Sequence, residues 1–342
     1  MLDTPMGVTD MDFEEANKAS QSTFGGTPLK GSVLPCEVVE KKAIEVTVMD
    51  PLGRALGDYG LELSQGSTVY RLRSNPFGAV RFEGLDAASY PLTLLGVDGR
   101  AWDCREVQPL PLERLRSNQP AAWGVPEPIP LGGGAYSVKP GEGVDKIALR
   151  VGHLPETLWN DPANQNLRNA RKGRNLLAPN DPLYIPPRQQ VSLDASVGYH
   201  YVLRLSGGMS RLRLRLAVGF EPQDGVAYLL EIPDAPSQSD TTKNGGYIDT
   251  WVPTQTTRVT LVLQGGNLRI DLPIDTLLPL GDDRGVQQRL RNLGYPCAAT
   301  DGTFDDAAKA VLHRFQDGVS LPRSDTLDDN VRKTLFALHD RG

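Results

Sequence analysis

Four histidines (His153, His200, His313 and His339) and three cysteines (Cys36, Cys104 and Cys297) are the residues best suited to metal or nucleophilic chemistry. No histidines stand in an HExxH spacing and no cysteines in CxxC, so the sequence offers no recognisable zinc site. No Gly-x-Ser-x-Gly elbow presents a serine, and no cysteine has a histidine partner in a known motif. His313 and His339 read as surface residues of helices rather than as acid–base groups. The 42 Asp and Glu residues could supply two carboxylates for glycoside hydrolysis, which is decided by geometry rather than spacing. No cofactor or metal is expected. Cys36 and Cys104 flank a β-rich region and could pair in an oxidising compartment; three half-buried thiols are the plainer reading. In Arg211-Leu-Arg-Leu-Arg-Leu216, period-2 spacing puts the arginines on one sheet face and the leucines on the other. That face is either a solvated exterior or a cationic stripe for an acidic partner.

The bulk numbers narrow the classes. At roughly 150 residues per domain, 342 residues imply at least two domains. Glycine (35) and proline (27) are frequent enough to favour short strands and turns over long helices. A net charge of −6 argues against nucleic acid as a partner. No apolar run reaches the ~20 residues of a membrane span. The N-terminal stretch has neither a basic region nor an apolar core of the secretory kind, so export is expected by another route.

The elements that would position any site begin after a polar arm at 1–40, rich in Ser, Thr and Gly over Ser20–Gly31 and expected to be loosely attached. Ile44, Val46 and Val48 alternate with polar residues, and strands at 59–63, 69–72, 80–82 and 90–95 follow, separated by turn signals. This spacing predicts a β-sandwich over 41–120. Asp50-Pro-Leu-Gly53 and Gly78-Ala-Val-Arg-Phe82 resemble motifs of transthyretin-like and carboxypeptidase-regulatory-like modules. A linker rich in Pro and Gly covers 121–134. Alternation returns at 200–205, 211–218, 226–232, 247–252, 258–263 and 268–272, predicting a second sandwich over 189–279. Gly225–Ile232 echoes Asp58–Leu63, and Asn244–Val252 echoes Asn75–Phe82, which points to a two-copy internal duplication.

Between the sandwiches, 135–188 reads as strand, glycine turn, helix, helix and strand. Tyr136 and Val138 alternate; Gly141 and Gly143 permit a tight turn; Val144, Ile147, Ala148 and Val151 recur at helical spacing. The motifs Tyr136-x-Val138-Lys139-x-Gly141-Glu142, Ile147-Ala148 and Leu183-x-Ile185-Pro186 resemble the LysM family. That resemblance implies a shallow groove for N-acetylglucosamine-containing glycans. Gly141, Glu142, Gly143 and Val144 would line one side, and Leu176, Ala178, Pro179 and Asn180 the other. Exposed backbone groups would bond the acetamido units. The sequence departs from the family at Gly143, where Ser or Thr is usual, and at Asn180, where Gly is usual. It also carries a longer basic run, Arg168–Arg174.

Over 280–342 the period becomes helical. Val286, Leu290 and Leu293 form one stripe, Ala307, Ala308, Val311, Leu312 and Phe315 a second, and Val331, Leu335 and Leu338 a third. The succession Gln288, Leu290, Gly294-Tyr295, Asp301-Gly302, Phe304 and Phe315-Gln316 resembles the three-helix peptidoglycan-binding domain found beside wall hydrolases. Asp305 replaces the usual Gly and Ala308 the usual Thr, which removes a hydroxyl near a helix start.

The expected fold is therefore multidomain α+β: two transthyretin/Ig-like β-sandwiches, a βααβ LysM module and a C-terminal three-helix domain. The whole arrangement resembles accessory proteins of type VI secretion and related contractile injection systems. By that resemblance the chain is a non-catalytic binder of peptidoglycan that also contacts a spike protein or toxin cargo. It would be cytoplasmic before export to a periplasm or target-cell envelope. A wall-hydrolase effector with an unfamiliar site, and a purely protein-docking adaptor or immunity protein, are the alternatives.

Overall fold

The computed structural model describes residues 42–111, 132–171, 173–218, 221–274, 276–297 and 299–340. The expected arm at 1–40, Cys36 and most of the expected linker lie outside the described residues. In chain order the first strands are β1 (Ala43–Met49), β2 (Gly60–Gln65), β3 (Thr68–Arg73), β4 (Ala79–Glu83), β5 (Ser89–Leu94) and β6 (Trp102–Pro109). Then come β7 (Gly134–Ser137), α1 (Val144–Val151), α2 (Pro155–Trp159), α3 (Gln165–Arg171) and β8 (Pro182–Ile185). They are followed by β9 (Ser192–Ser196), β10 (Tyr199–Leu205), β11 (Met209–Arg215), β12 (Ala217–Val218) and β13 (Glu221–Pro222). The last strands are β14 (Ala227–Glu231), β15 (Gln238–Thr241), β16 (Tyr247–Pro253), β17 (Arg258–Leu263) and β18 (Leu268–Pro273). Helices α4 (Asp283–Asn292), α5 (Asp306–Gly318) and α6 (Asp329–Leu335) end the chain. The molecule is mixed α+β, with sheet dominating.

The first sandwich stacks the sheet β4-β1-β10-β6 on the sheet β3-β2-β5-β9. Alternation drives it: Ile44, Val46 and Val48 of β1 are buried against Leu61, Leu63, Tyr90 and Leu92 of the facing sheet. β9 and β10 were expected in the second sandwich, but each completes a sheet of the first. Ser192–Ser196 pairs antiparallel with β5, and Tyr199–Leu205 pairs parallel with β1 and antiparallel with β6. β6 is held only through β10 among the described strands. Parallel neighbours require a long crossover, and here the segment at 134–185 lies within it, with three helices between β7 and β8 where the sequence reading expects two. That segment is therefore an insertion into the first sandwich, not a bead between two. Sequence periodicity shows that β10 is a strand but not which sheet it joins.

The insert has its own core of Val138, Val144, Ile147, Ala148, Leu158, Leu167, Leu177 and Leu183, and β7 pairs with β8 at its base. It sits tightly on the sandwich. Gly152 ends α1 in the left-handed region (φ +73°), and a Cβ there would lie 2.0 Å from Gly96 O. The Gly152 carbonyl accepts from Asp98 N at 2.7 Å.

The second sandwich sets the ribbon β11-β16 against the sheet β15-β14-β17-β18, around Leu230, Ile248, Val252, Val259 and Leu261. Its strand pairing repeats the first: β1, β2, β3, β4, β5 and β9 correspond to β11, β14, β15, β16, β17 and β18. The echo read from sequence is visible in corner geometry. Gly78 (φ +70°) accepts through its carbonyl from Val48 N, and Gly246 (φ +81°) does the same from Leu216 N. A Cβ at either glycine would strike the carbonyl of that same partner, at 2.5 and 2.3 Å respectively. The copies differ in one respect: β10 and β6 extend the first sandwich beyond β1, whereas β11-β16 is a two-stranded ribbon among the described residues.

The C-terminal helices share a core of Val286, Leu290, Tyr295, Val311, Leu312, Phe315, Val331 and Leu335. Asp282, Asp305 and Asp328 cap the three helices, each accepting from a first-turn backbone N–H. Leu338, expected in the third stripe, is left 38% exposed where α6 continues as a π-helical turn over Phe336–Asp340.

Candidate glycan-binding site

The structure brings the two expected loops of the insert side by side. Val144 N donates to Arg174 O at 3.0 Å, and Asp145 N donates to Asn175 Oδ1 at 3.1 Å. Gly143 is the residue before α1, and a side chain there would place its Cβ 2.6 Å from Asn175 Oδ1. The amide of Asn175 therefore stands where a serine or threonine hydroxyl at 143 would cap the helix. Its Nδ2 donates onward to the buried Asp145 carboxylate, which Arg174 pairs at 2.7 Å and Ser210 Oγ reaches at 2.9 Å. The sequence marks Arg174 only as the end of the basic run Arg168–Arg174, and gives Asn175 and Asp145 no role in the site. The signal was present as an amide 32 positions beyond a glycine, but loop-to-loop capping has no fixed spacing.

Glu142 is committed within its own loop. Its carboxylate accepts from Tyr136 Oη at 2.7 Å and Lys139 N at 3.0 Å, and pairs with Arg150. Burial alone would raise its pKa, but Arg150, Tyr136 and the Lys139 N–H outweigh it and hold the carboxyl below its usual value. Arg150 also lies over the Tyr136 ring, 5.3 Å from its centre. Gly141 has φ +77° and is exposed, yet its carbonyl accepts from Thr276 Oγ1 at 2.7 Å and Lys146 Nζ at 3.2 Å. Thr276 belongs to the segment leading into α4, so that segment touches the mouth of the glycine loop. Val144 is fully buried and contributes core.

Opposite, Leu176, Ala178 and Pro179 are half-buried and Asn180 is exposed with φ +69°. Asn180 N donates to Val138 O, and Asp181 is fixed by a two-point pair with Arg171 at 2.6 and 2.7 Å. The apolar edge of Leu176–Pro179 beside the glycine loop is what a methyl or sugar face could meet.

Most of the C-terminal motif residues serve the bundle. Leu290 and Phe315 are buried, Phe304 packs against the core, and Tyr295 meets Phe315 edge-on at 5.6 Å. Gly294 and Gly302 take φ +90°, and Asp301 caps its turn by accepting from Thr303 N. Gln316 is fully buried and brackets Ser324 through N–H and C=O. Gln288 accepts from Leu278 N at 2.9 Å. Gln287, not singled out from sequence, latches the Gly302–Thr303 turn from inside. Asp305 accepts from Ala308 N, which supplies the cap that a hydroxyl at 308 would otherwise be expected to assist.

A cleft of about 220 Å3 opens where the insert meets the first sandwich, lined in part by Tyr59, Arg73, Leu149, Arg150 and His153. His153 is buried, with Nδ1 3.5 Å from Asp98 Oδ2. Burial lowers its pKa, only partly countered by Asp98. Burial pushes Asp98 the other way, but Arg100 and the backbone N–H groups of Gln189 and Arg100 hold it at about 2. Among the described residues no three His, Cys, Asp or Glu side chains gather as a metal site, and no helix is long and apolar enough to cross a membrane.

No protein-family model matches the chain, and no curated protein matches it significantly. Among solved structures, the Bacillus anthracis TIE protein aligns at 9% identity and TM-score 0.28, over 69% of this chain and 32% of its own. Fervidolysin from Fervidobacterium pennivorans aligns at 10% identity and TM-score 0.25, over 68% and 29%. BcpA, the major pilin subunit of Bacillus cereus, aligns at 8% identity and TM-score 0.17, over 68% and 95%. The chain thus spans about a third of the first two, and all three superpositions fall far short of a common fold.

Proposed function

We propose that the chain is a non-catalytic, peptidoglycan-binding accessory protein in which the insert from β7 to β8 acts as a LysM module and the C-terminal bundle as a second wall-binding domain. The observation that carries this reading is that the start of α1 is tied to the segment immediately before Leu176–Asn180, through Val144 N to Arg174 O and Asp145 N to Asn175 Oδ1. Two loops fixed in this way form a pre-ordered rim, which lowers the entropy lost on binding an acetamido sugar. A setting in a type VI secretion system, with a spike or cargo protein as second partner, fits the sequence resemblance. Calorimetry with chitin oligosaccharides and co-sedimentation with purified sacculi test the proposal. Binding weakened by Leu176→Asp supports it, and no binding to either probe overturns it. Zymography on peptidoglycan separates a hydrolase effector, which would clear the gel.

One observation favours a second reading, a protein-docking adaptor. Thr276 and Lys146 already satisfy the Gly141 carbonyl, and Val144 N is taken by Arg174. A scaffold whose rim groups are bonded within the chain would leave the calorimeter silent while still binding a protein.

A further inference from the structure

The duplicated sandwiches differ at one edge, and that difference points to a partner. In the first copy the strand β10 pairs with the outer edge of β1, Glu45 opposite His200 and Thr47 opposite Val202. The matching strand of the second copy is β11, and among the described residues it pairs with β16 alone. Thr254 N donates to Gly208 O and Leu216 N to Gly246 O, so even-numbered residues of β11 form the ladder with β16. In an antiparallel pair the intervening residues turn their N–H and C=O the other way. The backbone groups of Arg211, Arg213 and Arg215 therefore face the edge that β10 fills in the first copy.

The side chains add a sign. Arg211, Arg213 and Arg215 stand on the outer face beside their cross-strand partners Trp251, Asp249 and Tyr247. Each reaches one step along: Arg211 pairs with Asp249, Arg213 lies 4.1 Å over the Tyr247 ring, and Arg215 donates to Gly245 O at 3.1 Å. Trp251 is left 51% exposed at the end of the ladder. Three arginines against one aspartate give this face a positive surplus on a chain of net charge −6. A tyrosine ring holds the Arg213 guanidinium in place without neutralising it. Tryptophan, tyrosine and arginine are also the residue types that dominate binding energy at protein interfaces.

We propose that the β11 edge, Arg211–Arg215, accepts an extended acidic strand from a partner protein, taking the place that β10 takes in the first sandwich. Backbone N–H and C=O groups supply the ladder, and carboxylates on alternate residues, about 7 Å apart, meet Arg213 and Arg215. This goes beyond the wall-binding reading and does not rest on it. The same charges disfavour pairing between two copies of β11.

The test is fluorescence anisotropy with the full chain and a short labelled peptide alternating Glu and Val. Binding is expected, falling at least about tenfold in Arg213→Glu/Arg215→Glu and also when the alternate backbone amides of the peptide are N-methylated. Circular dichroism confirms that the variant, altered only at exposed positions, stays folded; Trp251→Ala gives a second, charge-neutral probe and should also weaken binding. No binding, equal binding by the Glu variant, or indifference to N-methylation overturns the proposal. So does a heparin oligosaccharide that binds where the peptide does not, or self-association of the wild-type chain that the Glu variant abolishes.

Discussion

Ser74 and Thr242 make the same hydrogen bonds at the same corner of two different sandwiches. Each hydroxyl accepts from the backbone N–H just before the preceding strand β2 or β14, Tyr59 N at 2.9 Å and Val226 N at 3.0 Å, and each donates to a carbonyl, of Leu56 and Gln223. Each backbone repeats the match: Ser74 N donates to Tyr59 O and Thr242 N to Val226 O, while Asp58 N and Gly225 N donate to the Ser74 and Thr242 carbonyls. Both side chains are buried, so removing either hydroxyl strands a donor and an acceptor out of reach of water. Thr242→Val, nearly isosteric, is expected to lower stability by about 1–3 kcal/mol and Thr242→Ser by much less. Ser74→Ala should cost a similar amount in the first sandwich. Urea denaturation read by circular dichroism checks all three, and equal effects of Val and Ser at 242 would refute the shared role.

The capping exchange between Gly143 and Asn175 yields a double-mutant cycle. Gly143→Ser restores the residue type usual in LysM modules, yet its Cβ collides with Asn175 Oδ1, so destabilisation is expected. Asn175→Ala alone loses the cap and should cost about 1 kcal/mol. Together the changes should cost less than their sum, because the serine gains both space and the vacated Asp145 N–H. Thermal unfolding of the four proteins measures the coupling; strict additivity would sink the exchange.

His153 and Asp98 make the seat of the insert sensitive to acid. Burial depresses the folded-state pKa of His153 below 6.5, so the unfolded chain binds a proton more readily than the folded one. Stability should fall as pH drops through 6.5 and level off below the depressed value. Other groups facing this imidazole are Arg100 and Arg188, both already cationic and unfavourable to a second charge. In His153→Gln the slope between neutral pH and about pH 5 should flatten. Denaturation midpoints at several pH values measure it, and an unchanged slope would assign the dependence elsewhere.

How much of this was legible beforehand depended on whether the determining contact was local. Ile44, Val46 and Val48 announced β1, and Val286 and Leu290 announced α4, because burial on one face writes a period into the sequence. The partner of β10 leaves no such mark: Tyr201 and Leu203 alternate equally well in either sandwich, and only the pairing with β1 shows that 134–185 is an insertion. The site followed the same rule. Glycines at 141 and 143 marked the turn, whereas the commitment of Glu142 to Arg150 and the arrival of Thr276 at Gly141 depend on contacts between elements. The duplication was legible as an echo of turns and strands, but its consequence, a β11 edge left unpaired among the described residues, emerges only from the three-dimensional pairing of the two copies.

Arg289 carries the last prediction. Its side chain is completely buried in the C-terminal bundle, where Nε and Nη2 meet the Asp340 carboxylate at 2.9–3.0 Å. Nη1 donates to Leu278 O and Gly285 O, at 2.7 and 2.9 Å. The π-helical turn that exposes Leu338 is what brings Asp340 to this position. Burial pushes the Asp340 pKa up, but His339 and Arg289 outweigh it and hold the carboxyl below its ordinary value. A depressed carboxylate contributes stability that is present above the unfolded pKa and is lost as pH falls through the folded one. Asp340→Asn leaves a buried guanidinium without its counter-charge and is expected to cost about 3–5 kcal/mol near neutral pH. The variant should also lose part of the wild-type decline in stability below about pH 4. The pair Arg289→Met/Asp340→Leu removes both charges and should recover much of the loss, since desolvation no longer opposes packing. Guanidinium titrations of the full chain, followed through the Tyr295 and Phe315 environment in the near ultraviolet, compare the three. If Asp340→Asn matches the wild type, Arg289 is held by the carbonyls of Leu278 and Gly285 alone.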